Sequence, residues 1–117
     1  MKLSNYIAGQ WVEGVGSIKN INPSDTSETI DEYTSCTNEQ FEKSIQSASI
    51  AQKEWEVVGI EKKSQTLIKI GDELIKKSKQ IGELLSREEG KPLNEGIGEV
   101  FRAGQQFQYY GSECLRL

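Results

Sequence analysis

The chain has 117 residues, 14 basic and 18 acidic side chains, a net charge of −4, two cysteines and no histidine. Acids and bases alternate without a basic stripe, which excludes a nucleic-acid footprint, and no apolar run reaches the length of a membrane span. Without histidine there is no Ser-His or Cys-His pair, and two distant thiols make neither a zinc site nor a disulfide scaffold. No apolar h-region follows Met1-Lys2-Leu3-Ser4-Asn5, the pattern expected of a cytoplasmic chain.

The first third reads as strands. In "NYIAGQWVEG", Tyr6, Ile7, Trp11 and Val12 flank Ala8-Gly9, and glycine there permits the positive φ of a tight hairpin turn. "SIKNINPSD" supplies a short strand with Ile18 and Ile21 that Asn22-Pro23 ends, because the residue before proline is pushed out of helical space. Pro23-Ser24-Asp25 is turn chemistry. "ETIDEYTSC" alternates enough for one more strand, with Ile30 and Tyr33 marking its edges.

Then the period changes. Thr37-Asn38-Glu39-Gln40 fits a capping box, and Phe41, Ile45, Ala48 and Trp55 follow on one helical face. Gly59 breaks the pattern, and a second helix from about Glu61 turns Leu67, Ile68, Gly71, Leu74 and Ile75 inward. Ser78 is the expected N-cap of a third helix carrying Ile81, Leu84 and Leu85, with Gly90 as its left-handed stop. Lys76, Lys77 and Lys79 lie where the second helix ends and suit the negative end of its dipole.

Pro92 is the expected first residue of a fourth helix. Along it Leu93, Ile97, Val100, Gly104, Phe107, Gly111 and Cys114 recur every three or four residues. The two small residues in that stripe let another element approach closely. The pattern runs uncapped to Leu117 on "CLRL", as expected of a chain that has been cut. A hydrophobic share of 35%, low for a globular protein, points the same way: these helices expect more protein on their apolar sides.

"SREEGKPLNEGIGEV", residues 86–100, is the densest chemistry in the chain. A phosphate loop ending in Gly90-Lys91 needs glycine at position 85, which is Leu85, and Ser or Thr where Pro92 stands. A dinucleotide fingerprint from Gly96 meets Phe101, and one from Gly14 meets Lys19. Adjacent Glu88 and Glu89 diverge on a helix by about 100°. Glu95 and Glu99 share a face, and Arg102, three residues beyond Glu99, is its expected counter-charge. Read from its residues, the stretch is a joint between two helices. Cys114 lies on the apolar stripe, where a thiol without a base is inert, and Cys36 has no activating neighbour in the sequence either.

In this order, "YIAGQWVEG", "INPSD", the helix ending at Trp55, "REEGKPLNEGIGEV" and "YYGSECLRL" resemble the N-terminal segment of the NAD(P)-dependent aldehyde dehydrogenases across essentially the whole chain. Two places depart from the family pattern: Ile60 stands where a proline is common, and Lys63 where an arginine is, losing the bidentate fork. The resemblance implies an α/β fold: an N-terminal β meander of about three short strands within residues 5–35, then four helices at about 38–55, 61–77, 79–89 and 92–115. Together these form an incomplete part of the dinucleotide-binding domain. It also implies an enzyme that oxidises an aldehyde to an acid through a cysteine thiohemiacetal, with NAD or NADP taking the hydride, and that assembles as a homo-oligomer.

In the family the catalytic and nucleotide-contacting residues lie downstream of this segment, so the chain carries no catalytic and no cofactor-binding residue of its own; Cys114 is not the nucleophile. Some members bind a monovalent cation at positions corresponding here to the carbonyl of Ile21 and the carboxylate of Glu99. The tail "GIGEVFRAGQQFQYYGSECLRL" is most similar to the branch acting on dicarboxylate semialdehydes such as α-ketoglutarate semialdehyde. The competing expectation is a free-standing helical module that binds a partner or dimerises through its apolar stripe.

Overall fold

A computed structural model describes residues 2–116, and the chain divides between residues 57 and 58 into two compact units. The first unit is built of strands. Asn5–Ile7 (β2) and Gln10–Val12 (β3) form the expected hairpin. Its turn takes positive φ at both central residues, 51° at Ala8 and 79° at Gly9, the twist that matches flanking strands. Tyr6 and Trp11 face each other across it, ring centroids 5.0 Å apart.

Three further strands form a second sheet. Val15–Ile21 (β4) runs antiparallel to Thr29–Ser35 (β5), while Lys2–Leu3 (β1) lies parallel to β5 on its other side. There are therefore five strands among the described residues rather than about three. The extra pairing comes chiefly from β1, whose two residues are too few to display any alternation. Gly14 sets the approach: a Cβ there would lie 2.1 Å from the Ser35 carbonyl oxygen. Its N–H donates to the buried Thr34 hydroxyl at 3.1 Å.

Helix α1, Asn38–Glu56, closes this unit. The capping box is present: Thr37 Oγ1 accepts from the Gln40 N–H at 3.1 Å, and Gln40 Oε1 accepts from the Thr37 N–H at 3.0 Å. Gln40 Nε2 also donates to the Glu13 carbonyl at 2.8 Å, tying the helix start to the strands. The apolar face expected of this helix is present and uncovered. No residue of α1 is buried, and Phe41, Ile45 and Trp55 are 56%, 54% and 45% exposed. Periodicity correctly marks a face that wants cover; it cannot say that the cover is present.

The second unit holds α2 (Ile60–Lys76), α3 (Ser78–Glu89) and α4 (Leu93–Glu113), then a short 3-10 turn over Cys114–Arg116. Two helix starts differ from expectation. The cap of α3 is Lys77, not Ser78, and it makes no side-chain bond. The backbone scarcely leaves helical hydrogen bonding there, with Lys77 N–H donating to Glu73 and Ile81 N–H to Lys77, so no donor needs a serine. Pro92 caps α4 with ψ 140° instead of standing inside it, and its carbonyl accepts from Glu95 and Gly96.

Glycines hold these helices together. A Cβ on Gly96 would lie 2.2 Å from Ser86 Oγ and 2.5 Å from the Gly82 carbonyl, and one on Gly82 would lie 2.5 Å from the Ile97 Cα. Farther along α4, Gly104 and Gly71 stand backbone to backbone, with would-be Cβ distances of 2.8 and 2.6 Å to each other's carbonyl oxygens. Gly111 sits against Ser64 and Ile68 of α2. The buried stripe of α4 is Gly96, Val100, Gly104 and Gly111. Leu93 and Phe107, expected on that stripe, are 51% and 37% exposed. Their bulk cannot enter where main chains touch.

Candidate functional site

The sequence concentrates its chemistry at the α3–α4 joint. Helix α3 stops at Gly90, which takes φ 72° and donates its N–H to the Ser86 carbonyl at 2.8 Å. That left-handed stop is open to glycine because it has no Cβ to clash. The chain then turns back through Lys91 and Pro92. Ser86, buried beneath the turn, directs its hydroxyl to the Pro92 carbonyl at 3.5 Å.

Lys91 is the centre of this joint. Its ammonium lies 2.5 Å from Glu89 Oε2 and 2.5 Å from Glu99 Oε2, so one side chain bridges the end of α3 to the first turns of α4. Only 19% of the lysine side chain is exposed, against 50% and 59% for the two glutamates. Hydrogen bonds to Glu89 and then Glu99 raise the Lys91 pKa above its ordinary 10.5, since both favour the charged form. The cation beside Glu99 is therefore Lys91 and not Arg102. Helical spacing points to Arg102; the partner that wins is eight residues upstream, across a turn that periodicity does not span.

In the first unit, Ile21 is the last residue of β4 and is paired with Thr29. The turn after it is built on buried Asn22, whose Nδ2 donates to Glu28 Oε2 at 2.7 Å and whose Oδ1 accepts from the Ser24 N–H at 2.9 Å. The backbone closes the same loop, Asn22 N–H to the Glu28 carbonyl at 3.1 Å and Asp25 N–H to the Asn22 carbonyl at 3.2 Å. Asp25 Oδ1 accepts from both the Ser27 hydroxyl and the Ser27 N–H, and these bonds lower its pKa below the ordinary 3.8. The sequence shows the Asn-Pro turn but not the reach of Asn22 to Glu28, for which six-residue spacing gives no signal.

Among the described residues no three His, Cys, Asp or Glu side chains gather to hold a metal. Cys36 is exposed, and Cys114 points its thiol back at the Gly111 carbonyl, 3.2 Å away, as a small helix residue does. No helix among the described residues is long and apolar enough to cross a membrane. The arrangement is one of joints, caps and close-packed backbones.

A profile of the Aldehyde dehydrogenase family matches residues 11–117. The chain belongs to the aldehyde dehydrogenase family. It is 36% identical over 98 residues to "Aldehyde dehydrogenase family 7 member A1" of Pisum sativum, covering 84% of this chain and 19% of that protein. It is 31% identical over 115 residues to "Malonate-semialdehyde dehydrogenase 2" of Bacillus cereus, covering 97% and 22%. Among solved structures, the NADP-dependent glyceraldehyde-3-phosphate dehydrogenase from Bacillus halodurans C-125 complexed with NADP superposes with a TM-score of 0.94 at 28% identity, covering all of this chain and 25% of that one. The chain thus spans about a fifth of the length of the curated aldehyde dehydrogenases it matches. The strand-then-helix order and the α/β class expected from the sequence are those of the family.

Proposed function

We propose that this chain is the N-terminal scaffold of an aldehyde dehydrogenase, an oxidoreductase that converts an aldehyde to a carboxylic acid with NAD or NADP as hydride acceptor. The observation that carries this reading is the family match from residue 11 to residue 117. The uncovered apolar face of α1 agrees with it, since such a face is stable only against more protein. Under this reading the segment holds no reacting group: its work is to fix β-sheet, turn and helix geometry for residues supplied elsewhere. The same uncovered face also fits a free-standing interaction module, which is the competing reading.

Reading the coding sequence beyond the Leu117 codon separates the two. Continuation into a nucleotide-binding sheet and a catalytic cysteine, with aldehyde-dependent NAD(P)H formation by the whole product, is the expected result. A stop codon there, together with a compact 117-residue protein that binds a partner and oxidises nothing, would overturn the scaffold reading.

The substrate is proposed to be the semialdehyde of a dicarboxylic acid, an aldehyde that also bears one carboxylate. Support comes from the tail over residues 96–117 and from the malonate-semialdehyde dehydrogenase among the relatives. An aldehyde panel run on the whole product tests this: higher kcat/KM for dicarboxylate semialdehydes than for neutral aldehydes of equal length is expected. A homo-oligomer in the cytoplasm belongs to the same proposal, checked by light scattering and cell fractionation.

For a monovalent cation, Glu99 and the Ile21 carbonyl are the proposed donors. Oxygen donors suit a hard cation. Rubidium soaked into crystals of the whole product should give anomalous density beside Glu99; none there would remove the assignment.

A further inference from the structure

We draw no further inference here: the strongest candidate, the apolar groove along α2 and α3 floored by Ile70, Leu74 and Ile81 and edged by Lys69 and Lys77, carries nothing because Lys77 is already paired with Glu73 and nothing in the structure shows what covers it.

Discussion

Glycines on a single helix play opposite parts here. Gly96 has the Gly82 carbonyl 2.5 Å from where its Cβ would be, whereas Gly98, two residues on, has nothing within 4 Å. Alanine at either site gains helix propensity, about 0.5–1 kcal/mol. At Gly96 the backbone of α3 has to move, and overpacking of this kind costs roughly 1–3 kcal/mol. Gly96→Ala should therefore lower the denaturation midpoint of this chain and Gly98→Ala should raise it. Equal shifts of the same sign would show that the α3–α4 backbones do not touch. The sequence reveals that small residues recur on α4, and it leads correctly to Gly104 and Gly111. It conceals Gly96, because a glycine that serves contact reads the same as one that serves nothing.

At the scale of elements, each helix depends on its ends in a different way. Helix α1 buries no residue, so its capping box and the tie from Gln40 to Glu13 matter to its start. Thr37→Ala removes the hydroxyl that accepts from Gln40 and should cost about 0.5–2 kcal/mol, seen as lost helicity and faster amide exchange over the first turns of α1. Unchanged exchange would mean that packing, not capping, starts the helix. The box is legible because its two partners are three residues apart and the rule is local. The cap of α3 is not, since Ser78 satisfies the same local rule while the preceding backbone, never leaving the helical ladder, makes the serine redundant.

The α3–α4 joint rests on Lys91. Lys91→Met leaves Glu89 and Glu99 facing each other without a shared counter-charge, and amide exchange at Gly90 and over the first turns of α4 should quicken. Protection equal to the parent's would place the strength of the joint in Gly90 and Ser86 alone. The joint can be read from its glycine and proline, both short-range signals; its ionic bridge cannot, because the turn must be folded before the charges meet.

Acid acts on the same local bonds. The pKa of Asp25 is lowered by its hydrogen bonds from Ser27, and that of Glu39 by bonds from its own N–H and then the Thr37 hydroxyl, from ordinary values of 3.8 and 4.5. A carboxyl that is more acidic in the folded chain stabilises it above its unfolded pKa, and the contribution is lost as pH falls through the folded value. Stability should thus be flat at neutral pH and decline below about pH 4. Asn variants at 25 and Gln variants at 39 should shrink the decline; an unaltered acid limb would assign it to other carboxylates.

For the molecule as a whole, core is scarce. Ile7 and Val100 are the only buried hydrophobic residues among those described, while Trp11, Val57, Ile50 and Tyr110 are 73%, 84%, 64% and 60% exposed. Surfaces of this kind attract partners or aggregate. The 117-residue chain by itself should bind a hydrophobic dye, self-associate with rising concentration and show no aldehyde turnover. A monomer that ignores the dye and melts sharply would contradict the scaffold role. The thin composition announces this shortage, because apolar content limits what can be buried. Which stripes stay bare is not announced, because amphipathic periodicity records a preference for burial and not its fulfilment.

The paired glycines of α2, α3 and α4 divide the tolerances of this chain in two. Where main chain lies on main chain, almost any substitution is a wedge, and a library of random variants should be depleted there whatever the chemistry of the newcomer. On the outer stripes the same library, selected only for a folded 117-residue product, should accept polar replacements freely and even be enriched in them. Selected for the proposed aldehyde oxidation by a longer product, it should reject them, and the positions that pass one screen and fail the other would trace the faces that the scaffold reading assigns to burial.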